Sequence, residues 1–74
     1  MITSEQMRGA RAMLRWSIKD LSDVSGVSVA TIQRMEQEDG ISNTLAKNVA
    51  AVTMALESHG IQFMGDYGLI LEKK

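Results

Sequence analysis

The side chains able to do chemistry in this sequence are few, and they are not spaced for catalysis. A nucleophile, a base and an orienting group must converge in one pocket for covalent or acid–base chemistry. His59 is the single histidine, and no carboxylate stands at a spacing that would orient it. Asp20 and Asp23 lie three apart on one helical face, which a solvated surface explains better than a catalytic pair does. The sequence holds no cysteine, so disulfides, thiolate nucleophiles and thiolate metal sites are excluded. His59 beside Gly60 reads as a residue at a helix end, where an imidazolium suits the dipole, rather than as a metal ligand. No glycine-rich loop leads into a helix to cradle a phosphate. These residues predict a non-enzymatic chain with no metal and no cofactor, whose function is recognition.

Composition sets the frame. The chain has 74 residues, enough for one domain with a modest core. Absence of proline and a 45% hydrophobic content argue for compact helical structure over a disordered tail. No stretch approaches the roughly 18 apolar residues of a membrane span. Met1–Glu5 lacks the basic and apolar regions of a signal peptide, so a cytoplasmic location and no membrane partner are expected. The net charge is −1, with the charges unevenly spread. Through Met35 the bases Arg8, Arg11, Arg15, Lys19 and Arg34 face the acids Glu5, Asp20 and Asp23; Glu36, Glu38 and Asp39 follow. A local basic face is compatible with this pattern, and weak nonspecific binding to nucleic acid is expected of it.

Caps and periodicity divide the chain. Thr3-Ser4-Glu5-Gln6 reads as a capping box opening a helix to about Leu14, with Met7, Ala10, Met13 and Leu14 at helical spacing. Ser17-Ile18-Lys19-Asp20 caps a second, short helix with Leu21 and Val24 inward, ending near Ser25. Gly26 supplies the left-handed residue that helix ends favour, Val27 is an apolar plug, and Ser28 caps a third helix whose inner face carries Ile32 and Met35. Glu38-Asp39-Gly40 ends it. Ser42 or Asn43 is expected to cap a fourth helix with Leu45, Val49, Val52 and Leu56 on one stripe. Ile61–Met64 and Leu69–Leu71 flank a glycine-rich turn and read as a hairpin, which packs on the helices or pairs with a second chain. Trp16 is expected to cover the helix junction, and the six methionines to fill core.

Ser17 to Glu36 is the informative stretch. Two short helices meeting at Gly26, with Leu21, Val24, Val27, Ile32 and Met35 as their shared apolar set, must cross steeply. The outer face of the second is then free to enter a DNA major groove, about 12 Å wide.

This region resembles the lambda-repressor/Cro-like (XRE-type) helix-turn-helix domains. The likeness is carried by Arg8–Ser17, Asp20-Leu21-Ser22, Gly26-Val27-Ser28 and Thr31–Glu36, and spans roughly residues 3 to 58. It implies an all-α domain of four or five helices over residues 1–60, the motif itself at about 17–37, and a short C-terminal β-hairpin or tail over 61–74; the strand edge that hairpin would otherwise expose makes it the expected dimerisation element. It implies a sequence-specific regulator of transcription, a repressor by expectation, placing helix 28–37 in the major groove of operator DNA as a homodimer. Positions matching base-reading sites are Val29, Ala30, Thr31, Gln33 and Arg34. Gln33 would pair with adenine and Arg34 with guanine or phosphate, while Val29 and Ala30 could meet only a thymine methyl. Ser17, Lys19, Ser28 and Thr31 would touch phosphate or cap a helix. Ile18 stands where many relatives carry a phosphate-contacting glutamine, and Lys19 is expected to take over that contact. Arg11 and Glu36 match a structural pair joining the first and third helices. Two rival readings stay open: the antitoxin of a toxin–antitoxin pair, and a helix-turn-helix scaffold that binds protein without DNA.

Overall fold

A computed structural model of the chain describes residues 1–38 and 40–72. Among these residues are four helices, α1 (Ser4–Met13), α2 (Ile18–Ser25), α3 (Val29–Met35) and α4 (Ala46–Glu57), followed by strands β1 (Ile61–Met64) and β2 (Gly68–Leu71). No fifth helix is found among them; residues 40–44 instead form a chain of short turns closed by Asn43 N–H to Gly40 and Thr44 N–H to Ile41. Asp39 and the Lys73–Lys74 end of the expected tail lie outside the described residues.

Short-range hydrogen bonding starts each of the first three helices. The Thr3 hydroxyl accepts from Gln6 N–H at 3.1 Å while Gln6 Oε1 accepts from Thr3 N–H at 3.0 Å. Ser17 and Asp20 repeat this reciprocal box at α2. Ser28 Oγ accepts from Thr31 N–H at α3. Each cap satisfies amides that a helix start leaves without an internal partner. Gly26 ends α2 at φ 77°, and its N–H returns to the Ser22 carbonyl.

Four expectations need correction. Of the six methionines only Met7 and Met35 fill the core; Met1, Met13, Met54 and Met64 are exposed, because Met1 precedes α1 and the others fall outside the buried faces of their elements. Val24 is exposed, because the buried arc of α2 runs from Leu21 through half-buried Ser25 and Ile18 to Ser22; at 100° per residue Val24 lies on the other side of Leu21, outside that arc. The fourth helix is not capped by Ser42 or Asn43. Their segment is consumed by the 40–44 turns, and Leu45 holds the cap position without a side-chain bond. Leu45 itself is 65% exposed and does not join the stripe of Val49, Val52 and Leu56; it holds the cap position outside helical φ/ψ, so helical spacing does not carry it onto that face.

The core gathers Met7 and Ala10 of α1, Leu21 of α2, Ile32 and Met35 of α3, Val52 and Leu56 of α4, and Ile61 of β1. Ile61 opposes Leu71 and Phe63 opposes Leu69, so these four share the face of the hairpin that meets the helices. Gln62, Met64 and Ile70 occupy the other face and are exposed.

Gln6 ties the hairpin down. Its amide nitrogen donates to the Gly65 and Gly68 carbonyls, both at 2.9 Å, while its oxygen completes the α1 cap. The side chain is 1% exposed, yet all of its polar atoms have partners. The Thr3 hydroxyl adds a bond to the Asp66 carbonyl at 2.7 Å. Gly9 lets the strand approach: a Cβ there would lie 2.6 Å from Leu69 Cδ1. Replacing Gln6 with alanine leaves the Gly65 and Gly68 carbonyls without their donor and opens a cavity. The expected loss is about 3 kcal/mol of unfolding free energy in urea titration, whereas a surface site would lose under about 0.5.

Candidate nucleic-acid interface

The sequence-predicted residues fall on α3, on the first turn of α2, and on the contacts behind them. In α3, Ile32 and Met35 are fully buried and fix which side faces the core. Val29, Ala30, Gln33 and Arg34 therefore project outward, and all four are exposed. Arg34 meets no described residue through a hydrogen bond or ion pair. Thr31 is half-buried at the margin of this face, and its hydroxyl accepts from Ser28 Oγ at 2.9 Å. Ser28 and Thr31 are thus joined to one another at the helix start. The helix is shorter than 28–37, since Glu36 already holds its C-cap.

Ser17 and Lys19 are exposed at the start of α2. Ser17 belongs to the capping box: its backbone N–H donates to the Asp20 carboxylate at 2.9 Å, and this bond, with the neighbouring Ser17 hydroxyl as the second cause, holds that group below its ordinary pKa. Lys19 lies 3.0 Å from Asp23 one turn on, an exposed pair that leaves this turn with little net positive charge.

Behind α3 stands the grip that fixes it. Arg11 meets Glu36 with two parallel bonds of 2.8 Å, and its remaining nitrogen donates to the Trp16 carbonyl at 2.9 Å. Bidentate pairing of this kind fixes geometry as well as adding energy. The bond to Glu36 raises the Arg11 pKa further, with desolvation opposing it, so the guanidinium stays charged. Glu36 is only 8% exposed. Two residues that sequence reasoning did not assign complete the contact. The Ser4 hydroxyl bridges the Met35 and Gln37 carbonyls at 2.7 and 2.8 Å, and Arg8 donates to the Glu36 carbonyl. Ser4, Arg8 and Arg11 recur at i, i+4 and i+7, one stripe of α1. That spacing was the available signal.

Trp16 covers the junction as a half-buried residue and meets His59 edge-on, with ring centroids 4.7 Å apart. His59 Nδ1 lies 2.9 Å from the Ala55 carbonyl. Among the described residues no cluster of three or more histidine or acidic side chains is placed to hold a metal. No described helix is long and apolar enough to cross a membrane.

No family model matches this chain, and no curated protein is significantly similar to it.

The grip on α3 predicts an asymmetric mutational response. Arg11→Ala leaves the Glu36 carboxylate poorly solvated and without its partner, and should lower stability by about 2 kcal/mol, discounted for the partial exposure of Arg11. The joint change Arg11→Met with Glu36→Leu should cost less than Arg11→Ala alone. Chemical denaturation of the three chains measures both.

Proposed function

We propose that this chain is a helix-turn-helix domain of the lambda-repressor/Cro-like kind, which binds operator DNA and regulates transcription as a repressor. The observation that carries the reading is the contrast between the two sides of α3. Its inner side is buried and its C-terminal end is held by three side chains of α1, whereas Val29, Ala30, Gln33 and Arg34 face outward together. A short helix held that firmly from behind is a rigid element that fits a major groove. Gln33 and Arg34 are the polar readers, for adenine and for guanine or phosphate respectively; Val29 and Ala30 offer only apolar contact to a thymine methyl. Ser17, Lys19, Ser28 and Thr31 border the groove-facing side. The protein acts in the cytoplasm, associated with the nucleoid.

One short helix reads few base pairs, so the acting species is a homodimer on a near-palindromic site, with half-sites about one helical turn, roughly 34 Å, apart. The outer face of the hairpin supplies the contact between subunits, because Met64 and Ile70 are 53% and 43% exposed there.

A protein-binding scaffold is the second reading. It is favoured by the apolar side chain of Val29 at 39% exposure and by the pairing of Lys19 with Asp23. Salt separates the two readings, since phosphate contacts release counterions and apolar contacts do not.

Fluorescence anisotropy of the chain against random-sequence duplexes, at low and raised salt, tests the proposal. The expected result is binding that weakens steeply with salt and is reduced in Arg34→Ala, with two chains per selected duplex falling to one in Ile70→Glu. A folded chain that binds no duplex at low salt would transfer the reading to a protein partner.

A further inference from the structure

Helix α4 turns its buried side, Val49, Val52, Ala55 and Leu56, toward α2 and β1. The opposite side carries Lys47, Ala50, Met54 and Glu57, which recur at i, i+3, i+7 and i+10 and so form one stripe. All four are exposed. Met54, at 68%, is the most exposed apolar side chain on any described helix.

The two charges on this stripe do nothing for the helix that bears them. Lys47 stands in the first turn and Glu57 is the last residue, the reverse of the order that the helix dipole favours. They lie about 15 Å apart along the axis, too far to meet each other. No acid stands three or four residues from Lys47, and no base three or four residues from Glu57. Neither forms an ion pair with a described residue.

A second copy of the helix supplies what the first lacks. Lys47 and Glu57 lie five positions either side of position 52, and Ala50 and Met54 two positions either side. The stripe therefore complements itself when α4 is laid antiparallel on its twin about a two-fold axis at that level. Lys47 then meets Glu57 of the partner subunit, and Met54 enters the space left by the small Ala50 of the partner subunit. Each charge also comes beside the end of the opposing helix whose dipole suits it. A parallel arrangement would set like charges side by side.

We infer that the outer stripe of α4 is a contact between two copies of this chain, distinct from the hairpin contact proposed above. Four side chains per copy cover less than the roughly 800 Å² per partner of a stable interface, so the contact is weak. Where hairpins hold the first pair of chains, this second two-fold links one dimer to the next. That linkage rests on the hairpin reading, whereas the α4 contact itself does not.

Sedimentation velocity of the full chain over a range of concentrations tests the contact, with thermal unfolding confirming that each variant is folded. The parent should grow beyond a dimer at high concentration, and Met54→Glu should stop at the dimer. Ile70→Glu should associate through α4 alone, and less so as salt rises. In the Ile70→Glu background, Lys47→Glu and Glu57→Lys should each weaken association about tenfold, because symmetry makes every lost pair two. The two reversals together should restore it. A parent that never exceeds a dimer, and that Ile70→Glu reduces to a monomer, overturns the inference and leaves the hairpin contact standing. A dimer lost in Met54→Glu and untouched by Ile70→Glu keeps the α4 contact and removes the hairpin one. Association indifferent to Met54→Glu or to the single reversals, or not restored by the double reversal, overturns the inference. A parent that stays monomeric overturns both contacts.

Discussion

The C-terminal end of α3 is where this structure is decided. A seven-residue helix cannot hold itself together in water, since isolated helices need about 12 residues or more to be even marginal. Its last carbonyls must also find donors. One stripe of α1 supplies them: the Ser4 hydroxyl bridges Met35 and Gln37, Arg8 reaches the Glu36 carbonyl, and Arg11 grips the Glu36 carboxylate. Two guanidinium groups at a helix C-terminus also complement its dipole. With Ile32 and Met35 buried at the same junction, α3 can neither roll nor slide without breaking a charged, mostly buried contact. Its outward face is presented by this constraint and not by its own propensity.

The opposite margin of α1 carries the hairpin. A two-stranded hairpin alone is marginal in water. Here Gln6 ties both ends of its turn to the helix start, and the absence of a side chain at Gly9 lets Leu69 come close. The hairpin in turn contributes Ile61, Phe63, Leu69 and Leu71 to the apolar interior. In a chain this short that share of the core is large. The hairpin is thus part of the domain, and cutting the chain at Gly60 would remove the partners of Gln6 rather than a detachable arm.

Features written in neighbouring residues were legible. The boxes Thr3–Gln6 and Ser17–Asp20, the Ser28 cap and the Gly26 stop each involve side chains and backbone a few residues apart, and they set the helix starts closely. The hairpin was legible from its apolar runs and glycines. Contacts that depend on how the elements dock were not. Gln6 reads as a capping residue, and nothing local says that its amide nitrogen serves carbonyls about sixty residues away. Ser4 reads as the first residue of a helix, though its hydroxyl closes α3. Val24 and Leu45 look like core by composition but lie outside faces fixed by Leu21 and by Val49, Val52 and Leu56. Of the candidate interface, the pair Arg11 and Glu36 and the outward set on α3 follow from the resemblance; the Lys19–Asp23 pairing that mutes the α2 corner does not.

The proposed partner is a polyanion although the chain carries a net charge of −1, and the described cations are divided by task. Arg8 and Arg11 hold α3 and Lys19 is paired, whereas Arg15, Arg34 and Lys47 have no such partner among the described residues, and of these only Arg34 lies on α3. The most direct test of that division is an amide chemical-shift map of the labelled chain titrated with a duplex selected from a random pool. The account predicts perturbations concentrated at Ser17–Lys19 and Ser28–Arg34, with the outer face of the hairpin changing only where subunits meet. Perturbations confined to the hairpin and α4, with α3 silent, would contradict it.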